Sequence, residues 1–138
     1  MLWVDASLSY TARMRRGKLI ENNIPLKPKE RLAVDYLLDH GFDIELYVPT
    51  NTPKNKNPDF YINGKIWELK SPITSNKNTI KRLIKETNRQ SNHIVVDIRQ
   101  TKLDHEIAIN ILSYEFKQSR RVKGLMVLTN SQILRFQK

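Results

Sequence analysis

The sequence predicts an α/β domain with a central mixed sheet flanked by helices, on three observations. Two β-prone runs, 59–62 and 65–69, are separated by Asn63-Gly64, the preferred pair for a two-residue type I′ hairpin because both positions need positive φ. Stretches with apolar residues at helical spacing alternate with short apolar strands. The apolar strand at 93–98 is reached from the hairpin through a helical stretch, the crossover that parallel pairing requires.

Taken in order, residues 1–27 read as an N-terminal arm or linker remnant, partly helical around 9–16. The arm carries a basic cluster of Arg13, Arg15, Arg16 and Lys18 and a turn-like Glu21-Asn22-Asn23. Residues 28–138 read as one domain. Its first helix spans 28–40, with Pro28 in the first turn, Leu32, Ala33, Tyr36 and Leu37 at helical spacing, and Gly41 as terminator. Residues 43–48 alternate as a strand that Pro49 ends, and 50–57 form a polar loop. After the hairpin, Pro72 stops the second strand. A helix over 77–91 gathers Ile80, Leu83, Ile84 and Thr87 on one face. Following the 93–98 strand, a helix over 104–120 turns Ile107, Ile111, Leu112 and Phe116 inward, with Asp104 as N-cap. Strands at 124–129 and 132–136 complete an α-β-β-β-α-β-α-β-β order without internal repeats.

Composition narrows the function classes. The 138 residues suffice for one ordinary domain. No apolar run approaches the roughly 18 residues that span a bilayer, and Met1–Asp5 lacks the basic start of a secretory signal. The absence of cysteine excludes disulfides, thiolate metal sites and a cysteine nucleophile. Twenty-four Lys and Arg against 14 Asp and Glu leave a net charge of +10. Such an excess points to a polyanionic partner, because basic side chains displace counterions condensed on phosphates.

The hairpin carries the chemistry. With Asn63 and Gly64 as the loop, Ile62 pairs with Lys65, Tyr61 with Ile66, Phe60 with Trp67, and Asp59 with Glu68. Directly opposed residues point to one face, and Lys70, two residues beyond Glu68, shares it. Phe60, Ile62, Trp67 and Leu69 then form an apolar face that must be buried. Two opposed carboxylates repel each other, and a divalent cation between them removes the conflict. Oxygen ligands without thiolates suit Mg²⁺ or Mn²⁺. A metal so held polarises a phosphoryl oxygen and activates water, and a neighbouring lysine orients that water or neutralises developing charge. On residues alone the expectation is a metal-dependent nuclease acting through Asp59, Glu68 and Lys70.

Pro58-Asp59 followed by Glu68-Leu69-Lys70 resembles the PD-(D/E)XK motif of restriction-endonuclease-like nucleases, whose core is also α-β-β-β-α-β. The resemblance implies Asp59 and Glu68 as metal ligands, the Leu69 backbone carbonyl as a third, Lys70 as water-positioning residue, and Glu30 of the first helix as an added catalytic acid, with Glu45 and Asp43 as lesser candidates. From Lys29 to about Asn110 the chain looks similar to the C-terminal tRNA nuclease domains of CdiA-type contact-dependent inhibition toxins. Ile20-Glu21-Asn22-Asn23 also resembles the Val-Glu-Asn-Asn junction of those toxins. This implies tRNA cleavage in the cytoplasm of a target cell, delivery as the end of a larger secreted effector, and an acidic cognate immunity protein.

The helix over 77–91 carries Lys77, Lys81, Arg82, Lys85 and Arg89 against one Glu86, a candidate phosphate-binding face. Tyr61, on the carboxylate face, is the candidate base-stacking contact. His40, His93 and His105 have no partners at ligand spacing and read as structural; Trp3 and Trp67 read as core. Two other readings stay open: a DNA endonuclease of resolvase or repair type, and a catalytically inactive nucleic-acid-binding module.

Overall fold

A computed structural model describes residues 16–48, 59–86 and 91–138 of the protein, and among these lie seven strands and three helices. Residues 9–15 of the helix expected around 9–16, Trp3, the 50–57 loop with Pro49 and Pro58, and Thr87, Asn88, Arg89 and Gln90 lie outside those residues. The α/β class with mixed strand pairing is as the sequence predicts. The chain divides into two compact units, Met1–Lys65 and Ile66–Lys138.

In the first unit, β1 (Leu19–Ile20) pairs parallel with β2 (Ile44–Tyr47), and β2 pairs antiparallel with β3 (Asp59–Ile62). The described part of the expected arm therefore joins a sheet. β1 is too short to show an alternating pattern; long-range hydrogen bonds hold it. Gly17 N–H donates to Leu38 O at 2.8 Å and Ile44 N–H to Lys18 O at 2.9 Å. After it, Asn22 (φ 52) and Asn23 (φ 59) make a tight turn closed by Ile24 N–H on Glu21 O at 2.9 Å. Asparagine tolerates this left-handed backbone, which most residues avoid. Along β2 the alternation is realised: Ile44 and Leu46 are buried, Glu45 and Tyr47 exposed.

Helix α1 (Pro28–Asp39) starts on Pro28 as expected, yet its buried stripe is Ala33, Val34, Leu37 and Leu38. Leu32, expected inward, is 49% exposed. Residues 33, 34, 37 and 38 recur at the i, i+1, i+4, i+5 spacing of one helix face, and Leu32 lies on the opposite side of the helix.

In the second unit, β4 (Lys65–Lys70) pairs parallel with β5 (His93–Asp97), β5 parallel with β6 (Gly124–Leu128), and β6 antiparallel with β7 (Ile133–Gln137). Helices α2 (Lys77–Lys85) and α3 (His105–Gln118) provide the crossovers. Asn76 caps α2, accepting from Asn78 N–H at 2.8 Å, and Asp104 caps α3, accepting from Ile107 N–H at 3.1 Å. Ile80, Ile84, Ile94, Val96, Ile98, Ala108, Leu112, Phe116, Leu125 and Val127 make one apolar cluster. Ile107, expected inward, is 37% exposed, and Ala108 takes its place. No described helix is long and apolar enough to cross a membrane.

Candidate active site

The Asn63-Gly64 turn has the backbone the sequence requires, with φ of 52° and 79°. Asp59 opens β3 opposite Tyr47. Instead of standing out on a polar face, its side chain is in a residue only 7% exposed. Tyr61 lies two residues on, and so on the same face. Phe60, Ile62 and Trp67 are buried as expected, while Leu69 is half-buried.

Glu68 and Lys70 do share a face. Lys70 Nζ stands 3.0 Å from Glu68 Oε2, with the two side chains 32% and 14% exposed respectively. The parallel register places Glu68 beside Ile94 and Lys70 beside Val96. Paired residues point the same way, so the ion pair rises beside the apolar cluster that α2 and α3 cover. A poorly solvated charge pair of this kind acts more strongly on a third charge than it would in water.

Glu30 is buried in the first turn of α1, where its Oε1 accepts from Lys27 N–H at 2.8 Å. The structure thus gives it helix-capping work, which its place three residues after the N-cap foreshadows. Among the basic residues of α2, Lys77, Lys81, Arg82 and Lys85 are all exposed. Arg82 Nε lies 3.9 Å from Glu86 Oε1, and Lys85 Nζ lies 3.8 Å from the buried Glu115 carboxylate. Arg89 lies outside the described residues. Two of the three histidines make contacts within the fold: His40 Nδ1 sits 2.8 Å from Tyr36 O, and His93 packs edge-on against Trp67 at 4.8 Å.

Two features escape sequence reasoning. Asp97, at the carboxyl end of β5, is fully buried, and Arg99 binds it through two guanidinium nitrogens and its own N–H, at 2.9, 2.9 and 3.1 Å. An acid at the carboxyl end of an apolar parallel strand is a legible signal, but nothing local shows that Arg99 folds back onto it. The second is an open cavity of about 370 Å³ in the first unit, lined by Lys18, Ile20, Asp43, Glu45, Tyr61 and the hairpin turn.

Among the described residues no group of three or more His, Cys, Asp or Glu side chains is arranged to hold a metal ion. Hard oxygen donors such as carboxylates and backbone carbonyls are the ligands that Mg²⁺ or Mn²⁺ takes.

The family model of the contact-dependent growth inhibition CdiA C-terminal domain matches residues 56–134. Among solved structures, a chain of the CdiA-CT/CdiI toxin and immunity complex from Burkholderia pseudomallei shares the fold. Its TM-score is 0.63 at 18% identity, over 88% of this chain and all of that one. No curated protein matches.

Proposed function

Since the chain belongs to the contact-dependent growth inhibition CdiA C-terminal domain family, we propose that it is a toxin domain with metal-dependent nuclease activity of the PD-(D/E)XK kind, cleaving tRNA. The Glu68–Lys70 ion pair at 3.0 Å carries the reading. It puts the acid and the amine of the Glu-Leu-Lys sequence on one face. The net charge of +10 supports a polyanionic substrate.

In this reading Asp59, Glu68 and the Leu69 carbonyl would hold Mg²⁺ or Mn²⁺, which when bound would supply Lewis-acid polarisation of the scissile phosphate and lower the pKa of a water. Glu68 keeps the Lys70 ammonium in place, and Lys70 Nζ orients the attacking water and offsets charge on the phosphoryl oxygens. Exposed Lys77 and Lys81, with Arg82, Lys85 and Arg89, bind the phosphate backbone. The domain acts in the cytoplasm of a target cell as the end of a delivered effector. A cognate immunity protein, acidic to complement the toxin's charge, blocks it; the solved relative being a toxin and immunity complex supports such a partner.

Purified protein incubated with Mg²⁺ and either tRNA or plasmid tests the reading. Cleavage of tRNA, absent with a chelator and reduced at least a hundredfold in Glu68→Gln and Lys70→Met with unchanged circular dichroism, is expected. Plasmid degraded beside intact tRNA assigns a DNA endonuclease instead, and salt-sensitive binding without cleavage assigns an inactive binding module.

A further inference from the structure

The cavity in the first unit is built across three strands. The register aligns Ile20 with Glu45 and Glu45 with Tyr61, so these side chains form one row on the face that also carries Asp59. Ile20 and Tyr61 stand two strand spacings apart, roughly 9–10 Å at the backbone, with Glu45 between them. A planar ring held between two apolar surfaces needs about 7–8 Å, twice a carbon–carbon contact distance. The row therefore flanks a carboxylate with an aliphatic and an aromatic side chain, a set suited to a flat heterocycle that carries N–H donors on one edge.

The floor is held in place. Asn22 Nδ2 donates to Glu45 Oε2 at 3.1 Å and to Leu46 O at 2.9 Å. Asp43 Oδ1 accepts from Lys18 N–H at 2.7 Å. Both acids are thus oriented from the residue before β1 and the turn after it, while Lys18 brings a positive charge to the lining. Ile20 is 53% exposed, a large apolar side chain left on the surface beside the opening.

We infer that this cavity is a guanine-binding subsite that seats an unpaired guanine of the substrate RNA; the inference rests on the nuclease reading above. A carboxylate only accepts hydrogen bonds. Guanine alone among the four bases presents two adjacent N–H donors, N1 and N2, on its Watson–Crick edge, which matches one carboxylate bidentately. Adenine, cytosine and uracil each set a ring nitrogen or carbonyl lone pair against it. Glu45 receives the guanine edge, Tyr61 and Ile20 cover the ring faces, and Lys18 faces the sugar-phosphate. Base stacking on an aromatic ring is common in recognition of single-stranded RNA.

Titration of the metal-free full chain with GMP, AMP, CMP, UMP, IMP and inorganic phosphate tests this, because it involves no cleavage. GMP binding at least tenfold tighter than AMP, CMP, UMP or phosphate is expected, with IMP, which lacks the 2-amino group, weaker than GMP. Glu45→Gln lowers GMP affinity about tenfold and Tyr61→Ala at least fivefold, while Glu68→Gln leaves it unchanged. Asn22→Ala, which releases Glu45, weakens GMP binding without touching the base. Equal binding of all six ligands, no GMP binding at millimolar concentration, or unchanged affinity in Glu45→Gln overturns the inference. The two readings fail separately: RNA cleaved without guanine preference removes the subsite alone, and guanine binding by a chain that cuts no RNA removes the nuclease alone.

Discussion

Asp97 and Arg99 show what one residue pair contributes away from the proposed chemistry. With Asp97 fully buried and the Arg99 side chain 16% exposed, each charge depends on the other. Removing one partner of such a pair costs about 3–5 kcal/mol, whereas replacing both with apolar groups can be neutral. Asp97→Ala is expected to lower unfolding free energy by that amount in urea titration, and the double variant Asp97→Leu, Arg99→Leu to regain most of it. A loss under 1 kcal/mol in the single variant would show that water reaches the pair. Glu30 belongs at this scale as well. The resemblance makes it a catalytic acid, and the structure places one of its oxygens on the Lys27 amide.

At the scale of elements, two glycines are required for different reasons. Gly64 (φ +79) meets nothing within 4 Å where a Cβ would stand, so only backbone strain opposes a side chain there. Gly64→Ala is expected to cost about 1–2 kcal/mol. Gly124 lies beside His93 in the β5–β6 register, and a Cβ on it would come within 2.4 Å of the imidazole. His93 is buried against Trp67 and has little room to yield, so Gly124→Ala is expected to cost about 1–3 kcal/mol through overpacking. Thermal melts of the two variants check both figures. Disturbed near-UV dichroism of Trp67 is expected only in Gly124→Ala, which separates crowding from turn strain.

For the whole molecule the deciding quantity is net charge. Each phosphate contact releases a condensed counterion, so affinity for RNA falls steeply with salt. Lys77→Gln and Lys81→Gln are each expected to weaken RNA binding uniformly across sequences and to reduce the log–log salt slope by about 1. Lys85 is held near Glu115, so Lys85→Gln should change the slope less. Filter binding over a salt series reads all three; identical slopes would remove α2 from the interface.

Short-range rules carried much of the reading. Asn63-Gly64 determined a turn because only its own two dihedrals were at stake, and the spacing of two in Glu68-Leu69-Lys70 determined a shared face because strands alternate. Strand and helix positions in the described residues followed from periodicity to within a few residues, β1 and the end of α2 aside. What tertiary structure decided are contacts between residues far apart in sequence. Asn22 reaches Glu45 across 23 positions, β1 becomes a strand only because β2 lies beside it, and Leu32 and Ile107 are exposed because the packed stripe lies one residue away. A pattern of apolar spacing describes one element at a time, whereas a cavity walled by three strands exists only once their register is set.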